Sequence, residues 1–524
     1  MQFLYIAHLH YLSWFTPHAL YIGCRLEHHI PPPLWPTAQP PLGGKILKRR
    51  FDLAGCSVEM PGHITWLAED ASAGWHEQFY SFRWLREIAH SKKHREAASF
   101  AREFINGFML EESGLPSIVW DPKVAGTRLA QWMEHLELIL DGSSRVFRQR
   151  FTRSVIQHVL MLRSQVESGT GGESSLAVIW GLAAAAERFS PLRFLMPLAC
   201  DKLAGWIAQS IREDGMCKSG NPADQLAQVQ MLIDIRHILP NDALIYADLA
   251  KTIMKMGTLL RFCCHGDGRL ALYGGATMQD AGLIAKVLER AHAHESLPLT
   301  AAGGLCRLQR EQVYVFLLAS YGTPARGSYS GPLSIEFGEG TERIVVNCGG
   351  YLGNDPLWTH AVKAPAAHST LSLDGALPPS QENYRSPAPR LEALERPEGP
   401  MLRASLEAAP GIIHSRTLTL YEDGTKITGK DQITCQFKEP SNIKAALRFH
   451  LHPDIRCQKT AEGMVSLTSV AGKKWIFSIG GNVPVTVEES IFLGYKGKPQ
   501  RTLQVVVHPT LEEGMIEIAW MFSK

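Results

Sequence analysis

Up to about residue 300, apolar positions recur at three- and four-residue steps, the period of a helix with one buried face. In WHEQFYSFRWLREIAH, Phe79, Phe82, Leu85 and Ile88 fall at three-residue steps, and Trp75 and Trp84 add aromatic bulk. Further helical runs follow as AREFINGFML, TRLAQWMEHLELIL, FTRSVIQHVLMLRSQV, SSLAVIWGLAAAAERF, FLMPLACDKLAGWIAQSI, ADQLAQVQMLIDIRHIL and ALIYADLAKTIMKMGTLLRF. Gly, Pro, Ser or Asp separates most of them, as helix stops and starts require. Successive amphipathic helices with short joints must bury their faces on one another. Antiparallel helix pairs, closed or nearly closed into an α/α toroid, are the economical arrangement.

From about Leu305 the period drops toward two. QVYVFLLASYG, GPLSIEFGEG, ERIVVNCGG, HSTLSLDG, IIHSRTLTLYEDGTKITGKDQIT, IKAALRFHLHP, KWIFSIGG and TLQVVVHPT are short strands rich in Val, Ile and Thr. Gly-bearing turns such as Glu422-Asp423-Gly424 lie between several of them, the pattern of an antiparallel β-sandwich. The fold class expected is therefore α+β multidomain: an N-terminal extension and linker over residues 1–60, a toroid over 61–300 and a β-sandwich over 301–524. Two Pro-rich stretches, HHIPPPLWPTAQPPLGG (residues 28–44) and Ala376 to Pro400, read as a linker and a surface excursion.

Composition narrows the function classes. A chain of 524 residues exceeds the ~250–300 residues that one hydrophobic core supports, so two domains are the default. Lys and Arg number 53 against 51 Asp and Glu, a net charge of +2 that offers no overall basic field for nucleic acid. It leaves room for a local basic groove suited to an acidic polysaccharide. The 10 cysteines include no Cys-x-x-Cys pair, and the adjacent Cys263 and Cys264 suit neither a zinc knuckle nor an easy disulfide, so buried reduced thiols are expected. The apolar start, MQFLYIAHLHYLSWFTPHALYIG, has no basic residue before its apolar part and no small-x-small cleavage site. It is read as mature chain, which makes the cytoplasm the default compartment and the periplasm or envelope the alternative. No apolar, charge-free stretch elsewhere reaches the length of a membrane span.

The motifs point further. FYSFRWLREI, VWDPKVAGTRLAQWMEHLELIL, REDGMCKSGNPADQLAQVQMLIDIRHIL, LLRFCCHGDGRLALYGG, RIVVNCGG, APAAHSTLSLDG, LRFHLHP and the closing EIAWMF run in order from about residue 75 to the C-terminus. In combination they make the chain resemble the heparinase II/III-like family, in its compact alphaproteobacterial branch. That resemblance implies a polysaccharide lyase that cleaves an acidic, uronate-containing glycan, glycosaminoglycan or alginate-like, in a cleft between toroid and sandwich. Such an enzyme removes the weakly acidic proton beside the uronate carboxylate and protonates the departing glycosidic oxygen, work suited to His and Tyr. It must also neutralise the carboxylate with donors aimed at the developing charge.

The resemblance assigns roles residue by residue. Tyr329, in Ser328-Tyr329-Ser330-Gly331, stands where many relatives carry the acid/base His of the sandwich, and a phenol can serve there if nearby cations lower its pKa. His265 and Tyr273, in the HGDGRLALY joint between the last helix and the first strand, are further catalytic candidates that the turn itself does not require. His368 matches the His-Asn/Ser-Thr motif, whose His is a metal ligand in zinc-bearing relatives. Asn347 replaces the Asp those relatives offer, and Asn is a poor zinc ligand, so no cofactor is expected. Asn221, Asn347, His450 and His452 are candidate substrate-binding residues; Asn221 doubles as a helix start ahead of Pro222, and His450-x-His452 puts two imidazoles on one strand face with no third ligand in view. Cys217 and Gly220 stand where relatives commonly have His and Arg, and the Asn or His expected near Ser174-Ser175 is absent. The partner expected is an acidic polysaccharide or oligosaccharide, with no nucleic acid. Two other functions compete: a catalytically degenerate glycan-binding or envelope-associated protein, and a glycoside hydrolase built on Asp214, Asp267 or Glu336.

Overall fold

A computed structural model describes residues 40–524 except 61, 63, 65, 90, 92, 168–174, 296–298, 303, 320–330, 375–388, 410, 436–443, 482, 496–497 and 510–514. The chain divides into two compact units. The first holds the described residues up to Ile211, with Ala227–Met254 and Leu352–Asn354; the second holds Arg212–Leu226, Lys255–Tyr351 and Asp355–Lys524.

The first unit is built from helices. It opens with α1 (Pro40–Leu47) and a hairpin of β1 (Arg50–Leu53) and β2 (Cys56–Glu59). Then come α2 (Ala73–Tyr80), α3 (Leu85–Ala89), α4 (His94–Glu111), α5 (Pro122–Glu134), α6 (Leu136–Leu140), α7 (Arg145–Glu167), α8 (Ser175–Arg188) and α9 (Met196–Ser210). Two more, α10 (Pro222–Ile238) and α11 (Tyr246–Phe262), are divided between the units. Side-chain caps set the starts the sequence predicts: Ser72 accepts from the Trp75 amide, and Asp121, ahead of Pro122, accepts from that of Lys123. Composition misleads near the start of the described chain. Residues 40–60, expected as linker, form α1 and the hairpin, because Phe51 is fully buried with its ring 5.1–5.6 Å from those of Phe79, Trp84 and Phe104.

A buried cation organises this core. Arg128 donates from Nε to His158 Nε2 (2.9 Å) and from its two terminal nitrogens to the carbonyls of Tyr80 and Val119 (3.0 Å each). His158 Nδ1 faces the Ser154 carbonyl at 2.7 Å, so Nδ1 carries the proton and Nε2 accepts from the arginine. Burial, with the arginine's charge beside it, holds that imidazole well below its ordinary range and therefore neutral.

The second unit holds two antiparallel sheets. The eight-stranded one runs β14 (Arg456–Lys459), β15 (Val465–Thr468), β16 (Lys474–Ile479), β19 (Met515–Ser523), β12 (Lys426–Cys435), β11 (Ile412–Leu420), β10 (Gly399–Ala409), β9 (Arg390–Arg396). The other runs β17 (Val485–Phe492), β18 (Gln500–Val507), β13 (Lys444–Leu451), β7 (Glu342–Val346), β6 (Ile335–Glu339), β5 (Val313–Leu318), β4 (Leu305–Arg310), β3 (Leu299–Ala302), with β8 (Leu371–Asp374) also on β13. Short helices α12 (Ala281–Arg290) and α13 (Pro356–Ala361) lie in the connections. Inward residues of both sheets share one apolar core, including Val315, Phe337, Leu418, Phe449, Trp475 and Phe522. β11 alternates buried and half-buried positions along its length, the periodicity from which the sandwich was expected. Among the described residues no helix is long and apolar enough to cross a membrane.

One close approach is built on a missing side chain. Gly429 of β12 pairs with Trp520 of β19, and a Cβ at 429 would lie 2.1 Å from the indole ring. Gly429→Ala should therefore lower stability by ~1–3 kcal/mol, the usual cost of overpacking a filled core. Urea unfolding of the two proteins checks this; equal midpoints would show that the indole moves aside without cost.

Candidate functional site

Several candidate residues of the second unit lie along one buried polar seam. It starts in the segment after α11. The Cys264–Leu270 bridge closes a turn in which Asp267 takes two 3.0 Å hydrogen bonds from Arg343 of β7. Arg343 also donates to the Leu270 carbonyl, which fixes the chain on either side of the turn. This places His265 against β5 and β6, its ring packed on Phe316 and Tyr314 and its Nε2 2.7 Å from Glu336 Oε2.

Glu336 is the junction. Its Oε1 accepts from the amides of Leu272 and Asn347 (3.1 Å each) and from Asn347 Nδ2 (3.0 Å). Burial raises the carboxyl above its ordinary range, and the Arg343 charge and the Asn347 and Leu272 donors pull the other way. With this many N–H groups aimed at it, the group reads as a carboxylate with neutral His265 donating from Nε2. Burial holds His265 well below its ordinary range, and Arg343 adds to the shift.

Asn347 carries the seam onward. Its Oδ1 accepts from the Ser369 amide at 3.0 Å, while Ser369 Oγ donates to the Val346 carbonyl and accepts from the His450 amide. The Ser369 carbonyl accepts from Arg416 of β11, which also reaches the Leu333 carbonyl at 2.5 Å. Arg416 in turn grips Asp431 of β12 with two hydrogen bonds of 2.8 and 3.1 Å. His414 Nε2 and Trp520 Nε1 complete the Asp431 carboxylate at 2.7 Å each. The Arg416 guanidinium and the His414 contacts hold that carboxyl well below the usual range despite its burial.

His368, Ser369 and the chain before β6 meet on this scaffold. Gly331 packs against His368, where a Cβ would lie 2.5 Å from the imidazole Cγ. Thr370 Oγ1 donates to the Pro332 carbonyl at 2.7 Å, and Tyr273 reaches the Ser334 carbonyl at 3.5 Å. So His265 and Asn347 meet at Glu336, and Ser369 joins the His450 amide to them, while His368 and Tyr273 contact the Gly331–Ser334 segment that Arg416 also holds. Tyr329 lies outside the described residues, two positions before the pinned Gly331. Asn221 stands apart as a helix start: its Oδ1 accepts from the Ala223 amide at 2.7 Å and its Nδ2 donates to the Gly274 carbonyl. His450 and His452 have separate partners, Ser490 Oγ and the Ala366 carbonyl for the first, Tyr495 and the Asp454 amide for the second. Glu336 has a fully buried side chain and Asp267 is committed to Arg343, which leaves no open carboxylate pair among them for hydrolysis.

The donor set does not fit the zinc of related proteins. Asn347 spends both ends of its amide on Glu336 and Ser369, and both ring nitrogens of His450 are hydrogen-bonded. Among the described residues no group of three or more His, Cys, Asp or Glu side chains is disposed to hold a metal.

Sequence reasoning passed over Arg416, Asp431 and His414, although a signal was present. They occupy inward-facing positions of β11 and β12, in phase with Ile412, Leu418, Ile427 and Ile433. A charged residue in phase with core positions must have a buried partner.

Residues 293–521 match the family described as heparinase II/III-like, C-terminal. These residues form a heparinase II/III-like C-terminal domain. Solved structures extend the likeness to the whole fold. Heparinase III aligns with 99% of this chain and 88% of its own at a TM-score of 0.76 and 11% identity. The heparinase III BT4657 gene product aligns over 95% and 86% at 0.66 and 13%. A heparan sulfate lyase HepC from Pedobacter heparinus aligns over 99% and 87% at 0.60 and 14%. The fold is the helical toroid followed by an antiparallel β-sandwich. In sequence, the FtsZ-localized protein C of Caulobacter vibrioides is 25% identical over 320 residues. The match spans 55% of this chain and about half, 54%, of that relative.

The heparinase-like domain should be acid-sensitive. Burial lowers His368 to about 4, His450 to about 3 and His452 to about 4, against an ordinary value near 6.5. In the unfolded chain these rings bind protons below about pH 6.5, while in the folded chain they do so only near pH 3–4. Their contribution is complete above pH 6.5 and is lost progressively as the pH falls toward 4. Histidine NMR should show these three rings neutral throughout pH 5–8; a midpoint of 6–7 for any of them would contradict the burial described.

Proposed function

We propose that the chain is a polysaccharide lyase that cleaves an acidic, uronate-containing glycan by β-elimination, with Tyr329 as its proton-transfer residue. The reaction takes the proton on the carbon beside the uronate carboxylate, forms a carbon–carbon double bond and breaks the bond to the glycosidic oxygen, which leaves with a proton. A phenol performs both transfers if it is ionised at the start, which requires a cationic neighbour or close donors, since its ordinary pKa is ~10.

The observation that carries the reading is the anchoring of Gly331–Ser334. His368, Thr370, Arg416 and Tyr273 all hold this segment, which begins two residues after Tyr329. The investment of buried polar groups in that one segment is explained if it presents a reacting group. On this reading His265, Tyr273 and His368 position the chain rather than touch substrate. Burial and the nearby Glu336 push the Tyr273 phenol well above its ordinary range, so it is a poor base. The likeness to heparinase III in fold and the C-terminal family match support a lyase.

A second reading, a catalytically degenerate glycan-binding or envelope-associated protein, has one observation in its favour. His265, His368, His450 and His452 are only 3–5% exposed, so none offers an open imidazole to substrate.

Incubation with a panel of glycosaminoglycans, alginate and polygalacturonate, followed by ultraviolet absorbance of the unsaturated uronate product, separates the two. The lyase reading expects product from at least one glycan and a rate lowered roughly 10²–10⁴-fold in Tyr329→Phe, the range of general acid–base catalysis. Full activity with Phe at 329 would move proton transfer elsewhere. Binding without product from the wild type would establish the second reading.

A further inference from the structure

Helix α7 carries an arginine row that nothing in its own fold accounts for. Its sequence, RVFRQRFTRSVIQHVLMLRSQVE, holds five arginines, and its one acidic residue, Glu167, is taken by Arg163 at 2.8 Å. Arg145, Arg148 and Arg153 are exposed and Arg150 is half-buried. Among the described residues no carboxylate pairs with any of the four; Arg148 donates to Ser143 Oγ and Arg150 to Asn106 Oδ1. Arg145 and Arg148 also sit in and beside the first turn, which has no acidic residue, where a cation opposes the helix dipole. Folding is therefore disfavoured, not helped, by this arrangement, in a chain whose net charge is only +2.

We infer that the exposed face of α7 around Arg145, Arg148 and Arg153 is a binding site for a carboxylate- or sulfate-bearing glycan, separate from the residues that carry the chemistry. The inference takes its ligand class from the proposed function and adds a second place where that ligand is held. Eight residues separate Arg145 from Arg153, ~12 Å of helix at 1.5 Å per residue, enough to engage successive anionic groups of an extended chain. A guanidinium matches carboxylate and sulfate with paired hydrogen bonds.

The same face disfavours other polyanions. Lipid surfaces are held by helices with a broad apolar side, and Val146, 64% exposed, is the one exposed large apolar side chain of α7. Single-stranded nucleic acid is held by aromatic platforms, and Phe147 and Phe151 are both buried.

The test compares the full chain with a triple variant, Arg145→Gln, Arg148→Gln and Arg153→Gln, by calorimetric titration with heparin and alginate oligosaccharides at two salt concentrations. The variant should bind roughly tenfold more weakly, the combined effect of three exposed ion pairs, with a smaller salt dependence. Arg163→Gln should bind as the wild type does. Thermal unfolding of the triple variant should occur at or slightly above the wild-type temperature, because the removed charges are exposed and oppose the helix dipole. Equal affinity of wild type and triple variant, no glycan binding by the wild type, or tighter binding to phosphatidylglycerol vesicles or an oligonucleotide would each overturn the inference. Elimination is read separately by product absorbance. A wild type that binds through these arginines and forms no product would sink the lyase reading alone; product formation with equal affinities would sink this inference alone.

Discussion

The Arg416–Asp431 pair is the interaction on which the sandwich and its candidate site both depend. Neither side chain has any exposed surface, so each charge would be prohibitive alone. Together they are nearly saturated: the carboxylate also takes His414 and Trp520, and the guanidinium reaches across from the eight-stranded sheet to carbonyls of Leu333 and Ser369. An apolar core can hold two sheets together, but it tolerates sliding. A charge pair whose remaining donors are spent on two named carbonyls does not. It sets where Leu333 and Ser369 stand, and Ser369 in turn sets Asn347, Glu336 and His265 through hydrogen bonds of 2.7–3.0 Å.

This division of labour explains why residues that resemble a lyase site look so unlike free catalysts. His265, His368 and His450 are buried and neutral, Asn347 is satisfied at both ends, and Tyr273 is a buried phenol. Such groups are suited to holding a backbone in place and ill suited to exchanging protons with a bulky glycan. The arginine row of α7 supplies a different property, affinity for an anionic polymer, which a buried neutral seam does not.

Much of the fold was legible in the sequence because the two periods differ so clearly. The Phe79–Phe82–Leu85–Ile88 steps and the short Val-, Ile- and Thr-rich runs such as ERIVVNCGG and TLQVVVHPT assign helix and strand with little ambiguity. Two stretches were misread for one reason, composition outweighing pattern. Pro-rich flanks concealed α1 and the Phe51 hairpin. The stretch from 376 to 400 concealed β9, an edge strand exposed at almost every position, in which no apolar alternation exists to be seen. At the site, motifs located Asn347, His368 and His265, while Glu336, Arg343 and Asp431 gained their meaning only from partners far away in the chain. Asp431 lies 15 residues from Arg416 and 89 from Trp520, and no local pattern encodes that meeting.

Amide hydrogen exchange in an Asp431→Asn variant tests most directly whether one seam holds the sandwich and the site together. Removing the negative charge leaves Arg416 buried and uncompensated, a change that typically costs about 3–5 kcal/mol. If the seam is continuous, the amides of Leu272, Asn347 and Ser369, which donate to Glu336 and to Asn347, lose protection along with those of β11 and β12. Loss of protection confined to β11 and β12, with the Leu272, Asn347 and Ser369 amides exchanging as in the wild type, would show that the pair stabilises its own sheet and has no hold on the site.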